Sequence, residues 1–257
     1  MADFNIGAEH LSEQAKKQIL RYIEQMEKGT VKLPREEQLA IIIGVSRTTI
    51  RKALNDLASE GIVFREQGKG TFVNVDSLNI KVKFNPAMEF TQMIRKSGYC
   101  PSVKILDVQM VAWDEKIGTM LQLAESKHLV RTSKIFMADD KFCAYCVDYF
   151  SPELIGGEAG LAHFTKFEFS IFDYIYNTSK EKVKWDKVEI GAVSGSEIQG
   201  LKKHIPIKDY GKKAYLCVKG VDYSMDNQPL LYAEEYIDTE FIKFHMIRQR
   251  LVHYTEE

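Results

Sequence analysis

The chain has 257 residues and a net charge of −1, with 45% hydrophobic and 28% charged residues. That length accommodates two globular domains, and no apolar run approaches the roughly 18 residues that span a membrane. Bulk charge does not announce a nucleic-acid partner, since residues 1–75 carry 11 Lys and Arg against 10 Asp and Glu, and residues 76–257 carry 24 against 26.

In chain order, residues 1–10 read as a short, loosely held arm. They contain no basic stretch followed by an apolar core, so no signal peptide is expected and the expected compartment is the cytoplasm. Leu11, Ala15, Ile19, Tyr22, Ile23 and Met26 recur at helical spacing and predict an amphipathic helix over 11–28, ended by Gly29. Leu33 to Val73 is the most informative stretch. Pro34 opens a helix through Leu39, Ala40, Ile42 and Ile43, and Gly44 breaks it. Ser46 can cap the next helix, on which Ile50, Ala53, Leu54 and Leu57 form one apolar face. Arg47, Thr48, Arg51 and Lys52 crowd the first two turns of the other side. That is a helix-turn-helix layout, in which the second helix offers its N-terminal residues to the DNA major groove. Gly61 stops the helix, and Ile62–Glu66 and Thr71–Val75 read as strands around Gln67-Gly68-Lys69-Gly70, a wing able to reach phosphates.

Residues 76–85 read as an extended linker. From Pro86 on, a short helix holds Met88, Phe90, Met93 and Ile94, and Val103–Ala112 alternates like a strand. Asp114 can cap a helix with Ile117, Met120, Leu121 and Ala124. His128–Met137 and Phe142–Phe150 are strands joined at Asp139-Asp140. Pro152 starts an irregular or helical piece with Gly156, Gly157 and Gly160, and then comes an aromatic helix through Ser170, Phe172 and Tyr176. Lys182–Val193 is strand-like, and Ser194 to Glu197 fits a capping box before Ile198, Leu201 and His204. Tyr215–Met225 and Leu230–Ile237 are strands hinged at Asp226 to Pro229, and Phe241–Met246 reads as a final helix. The second half is therefore α+β with a mostly antiparallel sheet, covering 86–257. Cys143 and Cys146 form a CxxC in a strand-like run, where residues three apart face opposite sides, so the pair is expected as buried or half-buried thiols; Cys100 and Cys217 complete the four. No metal or cofactor is expected.

The stretch from Leu33 to Val73 resembles the winged helix-turn-helix of GntR-family transcription regulators. The resemblance rests on Leu33-Pro34, Leu39-Ala40, Gly44-Val45-Ser46-Arg47, Arg51, Ala53-Leu54, Leu57, Gly61 and Gln67-Gly68-Lys69-Gly70-Thr71-Phe72-Val73. It implies that Arg47 and Arg51 read DNA, a guanidinium being suited to paired hydrogen bonds with guanine. Ser46, Thr48, Thr49 and Lys52 would assist, with Gly68, Lys69 and Gly70 at the wing. After Leu-Pro the family pattern is a small cap, an acid and a DNA-contacting arginine; here Arg35, Glu36 and Glu37 stand there. Arg35 is therefore expected to supply the backbone contact, and Glu37 either to read a cytosine amino group or to point away.

The second half resembles the UTRA effector domain of the HutC subfamily, related in fold to chorismate lyase. The match runs through Gly98, Pro101, Asp139, Tyr149, Ser170 and Pro229. In sugar-phosphate-binding members two arginines grip the phosphate, and those positions are Lys134 and Phe136. Ser170 is retained, a tyrosine becomes Phe172, and an acid falls at Cys146 with Asp148 two along. An acid and a tyrosine become Leu231 and Ile237, with Glu235 on their face. The resemblance thus implies a smaller or less charged effector, with one acidic group for Lys134; the alternative is that these residues fill the core. The function expected is a DNA-binding regulator, a repressor acting as a homodimer on a palindromic operator, with no membrane association. A constitutive DNA-binding dimer is the alternative. An enzyme is the weakest reading, since the six histidines are scattered and no nucleophile elbow or phosphate loop is present.

Overall fold

The computed structural model describes residues 6–27, 30–124, 128–164, 170–206 and 210–248. Gly29, expected to end the first helix, and residues 1–5 of the expected arm lie outside them. The chain divides into two compact units, Met1–Ala87 with the segment from His245, and Met88–Phe244.

In the first unit α1 (Ile6–Glu24), α2 (Glu36–Ile43) and α3 (Arg47–Ser59) precede the hairpin β1 (Val63–Glu66) and β2 (Gly70–Val73). Ala15, Ile19 and Ile23 of α1 meet Leu39 of α2 and Ile50, Ala53, Leu54 and Leu57 of α3 in one buried cluster. These are the apolar positions at spacings of three and four, and their removal from water holds the three helices together. Gly44 takes φ 77°, the left-handed cap conformation that favours glycine, and ends α2. The hairpin pairs Val63 with Val73 and Glu66 with Gly70.

Several boundaries differ from the sequence reading. α1 starts at Ile6, inside the expected arm, and ends at Glu24 rather than at 28. Arg35, not Pro34, is the cap of α2, and its backbone N–H donates to Gln38 Oε1 at 3.1 Å. Val75–Leu78 forms a short helix, α4, where the extended linker was to begin. His245 donates its N–H to Val82 O at 3.1 Å and accepts from Phe84 N at 3.2 Å. Residues 245–248 therefore group with the first unit rather than with the domain expected to run to 257.

The second unit is a six-stranded antiparallel sheet in the order β3-β4-β5-β8-β7-β6. The strands are β3 (Pro101–Val111), β4 (Leu129–Ala138), β5 (Lys141–Phe150), β6 (Val183–Ser194), β7 (Ala214–Ser224) and β8 (Pro229–Ile237). Asp139 and Asp140 both have positive φ, 48° and 64°, as the tight β4–β5 hairpin requires. α5 (Phe90–Lys96), α7 (Gly157–Phe164) and α8 (Ile171–Ser179) lie on one sheet face. Phe90 stacks on Phe136 at 4.6 Å, and Ile171 and Ile175 pack with Val130, Phe150 and Leu231. The other face carries α6 (Glu115–Met120), capped by Asp114 as expected, and two 3-10 turns, Gly195–Glu197 and Leu201–Lys203.

Two expected helices are absent. The capping box from Ser194 to Glu197 forms, but it closes one 3-10 turn and not a helix through His204. Phe241–Met246 makes a single turn on Asp238 and then runs extended to His245. No helix among the described residues is long and apolar enough to cross a membrane.

Candidate nucleic-acid interface and ligand face

Ser46 caps α3 by accepting from Thr49 N at 3.1 Å, and the two hydroxyls lie 2.7 Å apart. The cap fixes the start of the helix and so aims its first two turns outward. Arg47, Thr48, Arg51 and Lys52 are all exposed there. Two carboxylates from α2 hold the arginines. Glu36 Oε2 accepts from Arg47 Nε at 3.3 Å and from Arg51 at 2.9 Å, and Glu37 Oε1 pairs with the other arm of Arg47 at 2.9 Å. Arg65 of β1, which the sequence reading did not single out, reaches Glu36 at 3.4 Å. The hydrogen bond from Arg51, against the opposing effect of burial, holds the Glu36 carboxyl below its ordinary range. Arg35 is exposed beside them. At the wing tip Lys69 pairs with Glu66 at 2.8 Å, and Gly68 and Gly70 both take positive φ. The arrangement is an anion site holding its own carboxylates, which DNA phosphates and bases can replace.

In the second unit, alternation along the strands brings Lys134, Cys146, Asp148 and Glu235 to one face of the sheet. Asp148 is buried and accepts three hydrogen bonds: from Lys134 Nζ at 3.0 Å, Thr132 Oγ1 at 3.0 Å and Cys146 Sγ at 3.2 Å. Cys146 sits opposite Glu235, and Asp222 of β7 sits opposite Leu231 on the same face. Burial pulls the Lys134 ammonium down, but Asp148, Cys146 and Glu235 outweigh it and its pKa stands above the usual lysine value. Burial, then the charges of Asp148 and Asp222, push Glu235 up to about 8. Burial, then Asp186, push Asp222 up to about 8 as well. At neutral pH both acids keep their proton, beside a lysine already neutralised by the chain itself.

Phe136, Leu231 and Ile237 are buried beside this cluster, and Lys134 Nζ lies 5.9 Å from the Phe136 ring centre. Ser170 and Phe172 are on α8, where the Ser170 hydroxyl caps the helix by accepting from Phe172 N at 3.2 Å. Thr132, Asp186 and Asp222 were missed in the sequence. Thr132 is two residues from Lys134 and was within reach of the same alternation; the other two depend on which strands are neighbours. Cys143 and Cys146 are buried as expected; Cys217 is buried too, and Cys100 is exposed. Among the described residues no group of three His, Cys, Asp or Glu could hold a metal ion.

Residues 11–73 match the family described as bacterial regulatory proteins, gntR family, and residues 96–243 match the UTRA domain. The HTH-type transcriptional repressor NagR of Bacillus subtilis is 29% identical over 192 residues, 72% of this chain and 75% of that one. YurK of the same organism, an uncharacterized HTH-type transcriptional regulator, is 31% identical over 128 residues, 50% of this chain and 52% of its own length. Among solved structures, YydK of Bacillus subtilis, described as a possible transcriptional regulator, superimposes with a TM-score of 0.68 at 17% identity. It covers 93% of this chain and 99% of its own. PhnF of Mycobacterium smegmatis gives 0.56 at 15% identity over 91% and 99%. At those identities the likeness is one of fold.

Proposed function

The chain belongs to the GntR family of bacterial regulatory proteins and is a transcriptional regulator of the HutC type, and from that premise we propose that it is a repressor released from DNA by a small effector. The carrying observation is the outward row of Arg47, Thr48, Arg51 and Lys52 at the capped start of α3. Arg47 and Arg51 read bases, while Ser46, Thr48, Thr49, Lys52 and Arg35 take backbone contacts. Gly68, Lys69 and Gly70 follow the phosphates with the wing. A homodimer sets two such helices about one DNA turn apart on a palindromic operator. That the relative NagR is a transcriptional repressor supports repression rather than activation.

The effector sits among Lys134, Phe136, Cys146, Asp148, Leu231, Glu235 and Ile237, beneath Ser170 and Phe172. It is less charged than a sugar phosphate. The sequence reading reserved an acidic group of the effector for Lys134, but Asp148 already occupies that ammonium at 3.0 Å. A phosphate would have to displace Asp148 and approach two further carboxyls. A neutral polar molecule, accepting from the protonated Glu235 and Asp222, fits the charge better.

The test is a thermal-shift screen of the full chain against sugar phosphates, free sugars, amino acids and small carboxylates, each hit then added to operator DNA. A ligand at a hundred times its dissociation constant adds about 2.7 kcal/mol. A hit outside the sugar phosphates that loosens operator binding supports the proposal. A sugar-phosphate hit that loosens operator binding, and that Lys134→Gln abolishes, overturns the effector chemistry. The constitutive reading, favoured by the burial of Phe136, Leu231 and Ile237, is strengthened if a stabilising ligand leaves operator affinity unchanged.

A further inference from the structure

A cavity opens on the face of the sheet opposite the Lys134–Asp148 cluster. It has a volume of about 510 Å³ and lies between strands β3, β4 and β5 and the turn at 200–204. Strand alternation separates it from the first site: Thr132 and Lys134 face Asp148, and Arg131 and Ser133 line this cavity. The volume falls within the range of small-molecule sites, about 300–1,000 Å³.

Its walls are built toward an anion. Arg131 is only 20% exposed in its side chain and lines the cavity together with Tyr145. Its one carboxylate partner, Asp107, is at 3.4 Å from a single nitrogen and is itself 40% exposed. A guanidinium has five donors, and a monodentate contact of that length leaves the paired fork geometry unfilled. Lys203 and His204 add exposed donors at the mouth. Ser133, buried at 2%, lines the cavity beside Tyr145 and puts hydroxyls on its floor.

Two backbone features shape the cavity. The β3–β4 register shifts between Ile105 and Asp107, so Leu106 is the extra residue of a bulge, and consecutive side chains Leu106 and Asp107 both line the wall. Bulges re-aim side chains in this way. Gly200, at φ 85°, brings the turn in close: a Cβ there would sit 2.8 Å from the Tyr145 hydroxyl and 3.6 Å from an Arg131 nitrogen.

We infer that this cavity is a second ligand site, for a small molecule carrying a phosphate or carboxylate group, with Arg131 as the fork that grips the anion and Lys203 as the cation at the mouth. The inference does not rest on the effector reading, since it uses the other face and the opposite ligand charge. Nor does it require that DNA binding respond.

The experiment is calorimetric titration of the full chain with inorganic phosphate and, separately, with succinate. The expected result is saturable binding of at least one of them at one site per chain. Arg131→Gln and, independently, the exposed Lys203→Glu should each weaken it by about tenfold or more, as loss of a charge-assisted contact dictates. Lys134→Gln should leave it unchanged. Lys203→Glu keeps the test valid if Arg131→Gln fails to fold, which circular dichroism reports. Absence of saturable binding of both anions overturns the inference. So does binding that Lys134→Gln abolishes and Lys203→Glu leaves intact, which would place the anion on the other face.

Discussion

At the scale of single residues, the chemistry turns on where carboxylates stand. Glu36 and Glu37 hold Arg47 and Arg51, so in the proposed reading DNA binding exchanges one set of anions for another. Glu37→Ala frees one arm of Arg47 and removes a negative charge from the interface. The expected outcome is tighter non-specific DNA binding and a steeper salt dependence, by about 0.9 in the log–log slope for each additional phosphate neutralised. Fluorescence anisotropy at several salt concentrations measures this, and an unchanged slope would remove Glu37 from the interface. In the other unit Glu235 and Asp222 sit at about 8 in the folded state, against 4.5 and 3.8 for the free groups. Between those values the folded chain holds protons that the unfolded chain gives up. The contribution of these two carboxyls to stability is therefore fully present at acid pH and is lost as pH rises toward 8. Glu235→Gln mimics the protonated acid and should flatten the fall; identical melting profiles for parent and variant from pH 5 to 8 would contradict it. Lys134 and Cys146 were legible through the resemblance to sugar-phosphate-binding regulators, and Asp148 and Glu235 from the alternation of their strands around the positions so marked. Asp222 was not, because its place opposite Leu231 depends on strand register across the sheet, which no local pattern carries.

At the scale of elements, the most legible pieces were those whose ends are marked by local chemistry. α3 begins where Ser46 can accept an N–H, α6 where Asp114 can, and α8 where Ser170 can. The misread pieces found backbone partners far away in sequence. Phe241, Ile242, Phe244 and Met246 are apolar enough for a short helix. Yet Ile242 is fully buried, Phe241 packs edge-on against Tyr99 at 5.4 Å, and His245 pairs with the backbone at Val82 and Phe84. Those long-range partners replace the local i to i−4 bonds a helix would need. The wing and the sheet hairpins were legible because glycine, or aspartate at positive φ, marks the turns. The cap on α3 carries a prediction at this scale. Ser46→Ala removes the acceptor for Thr49 N and should destabilise the first unit by about 1 kcal/mol, while Ser46→Gly costs only a few tenths. Denaturant melts read the stability and anisotropy the DNA affinity. If the Ala and Gly variants lose operator affinity equally while differing in stability, Ser46 touches DNA as well as capping; if neither variant loses stability, the cap contributes nothing.

At the scale of the whole molecule, a chain of net charge −1 must bind a polyanion through local placement alone. In the proposed reading the cations of α3, β1 and the wing provide that placement, and a two-fold dimer would double it. The second unit has no part in gripping DNA in this reading; its contribution is a coupling free energy. Coupling of about 1–3 kcal/mol changes operator affinity by 5- to 150-fold, and linkage makes the effect reciprocal. Whatever factor the effector takes from operator binding, saturating operator must take from effector binding. The two factors come from separate experiments: DNA titrations with and without effector, and calorimetric effector titrations with and without a saturating operator duplex. Equal factors greater than one establish that both ligands bias one equilibrium of the chain. A factor of one in both, with the effector still bound, reduces the second unit to a dimerisation and ligand-holding body. Unequal factors require that the DNA titration counts a change of dimer concentration, which repeating it at tenfold higher protein resolves. Asp148→Asn adds a control within the same frame: it leaves Lys134 buried without its partner and should destabilise the second unit by about 3–5 kcal/mol. Operator affinity measured without effector should stay at the parent value as long as the variant remains folded, because none of the side chains proposed to touch DNA lies in that unit.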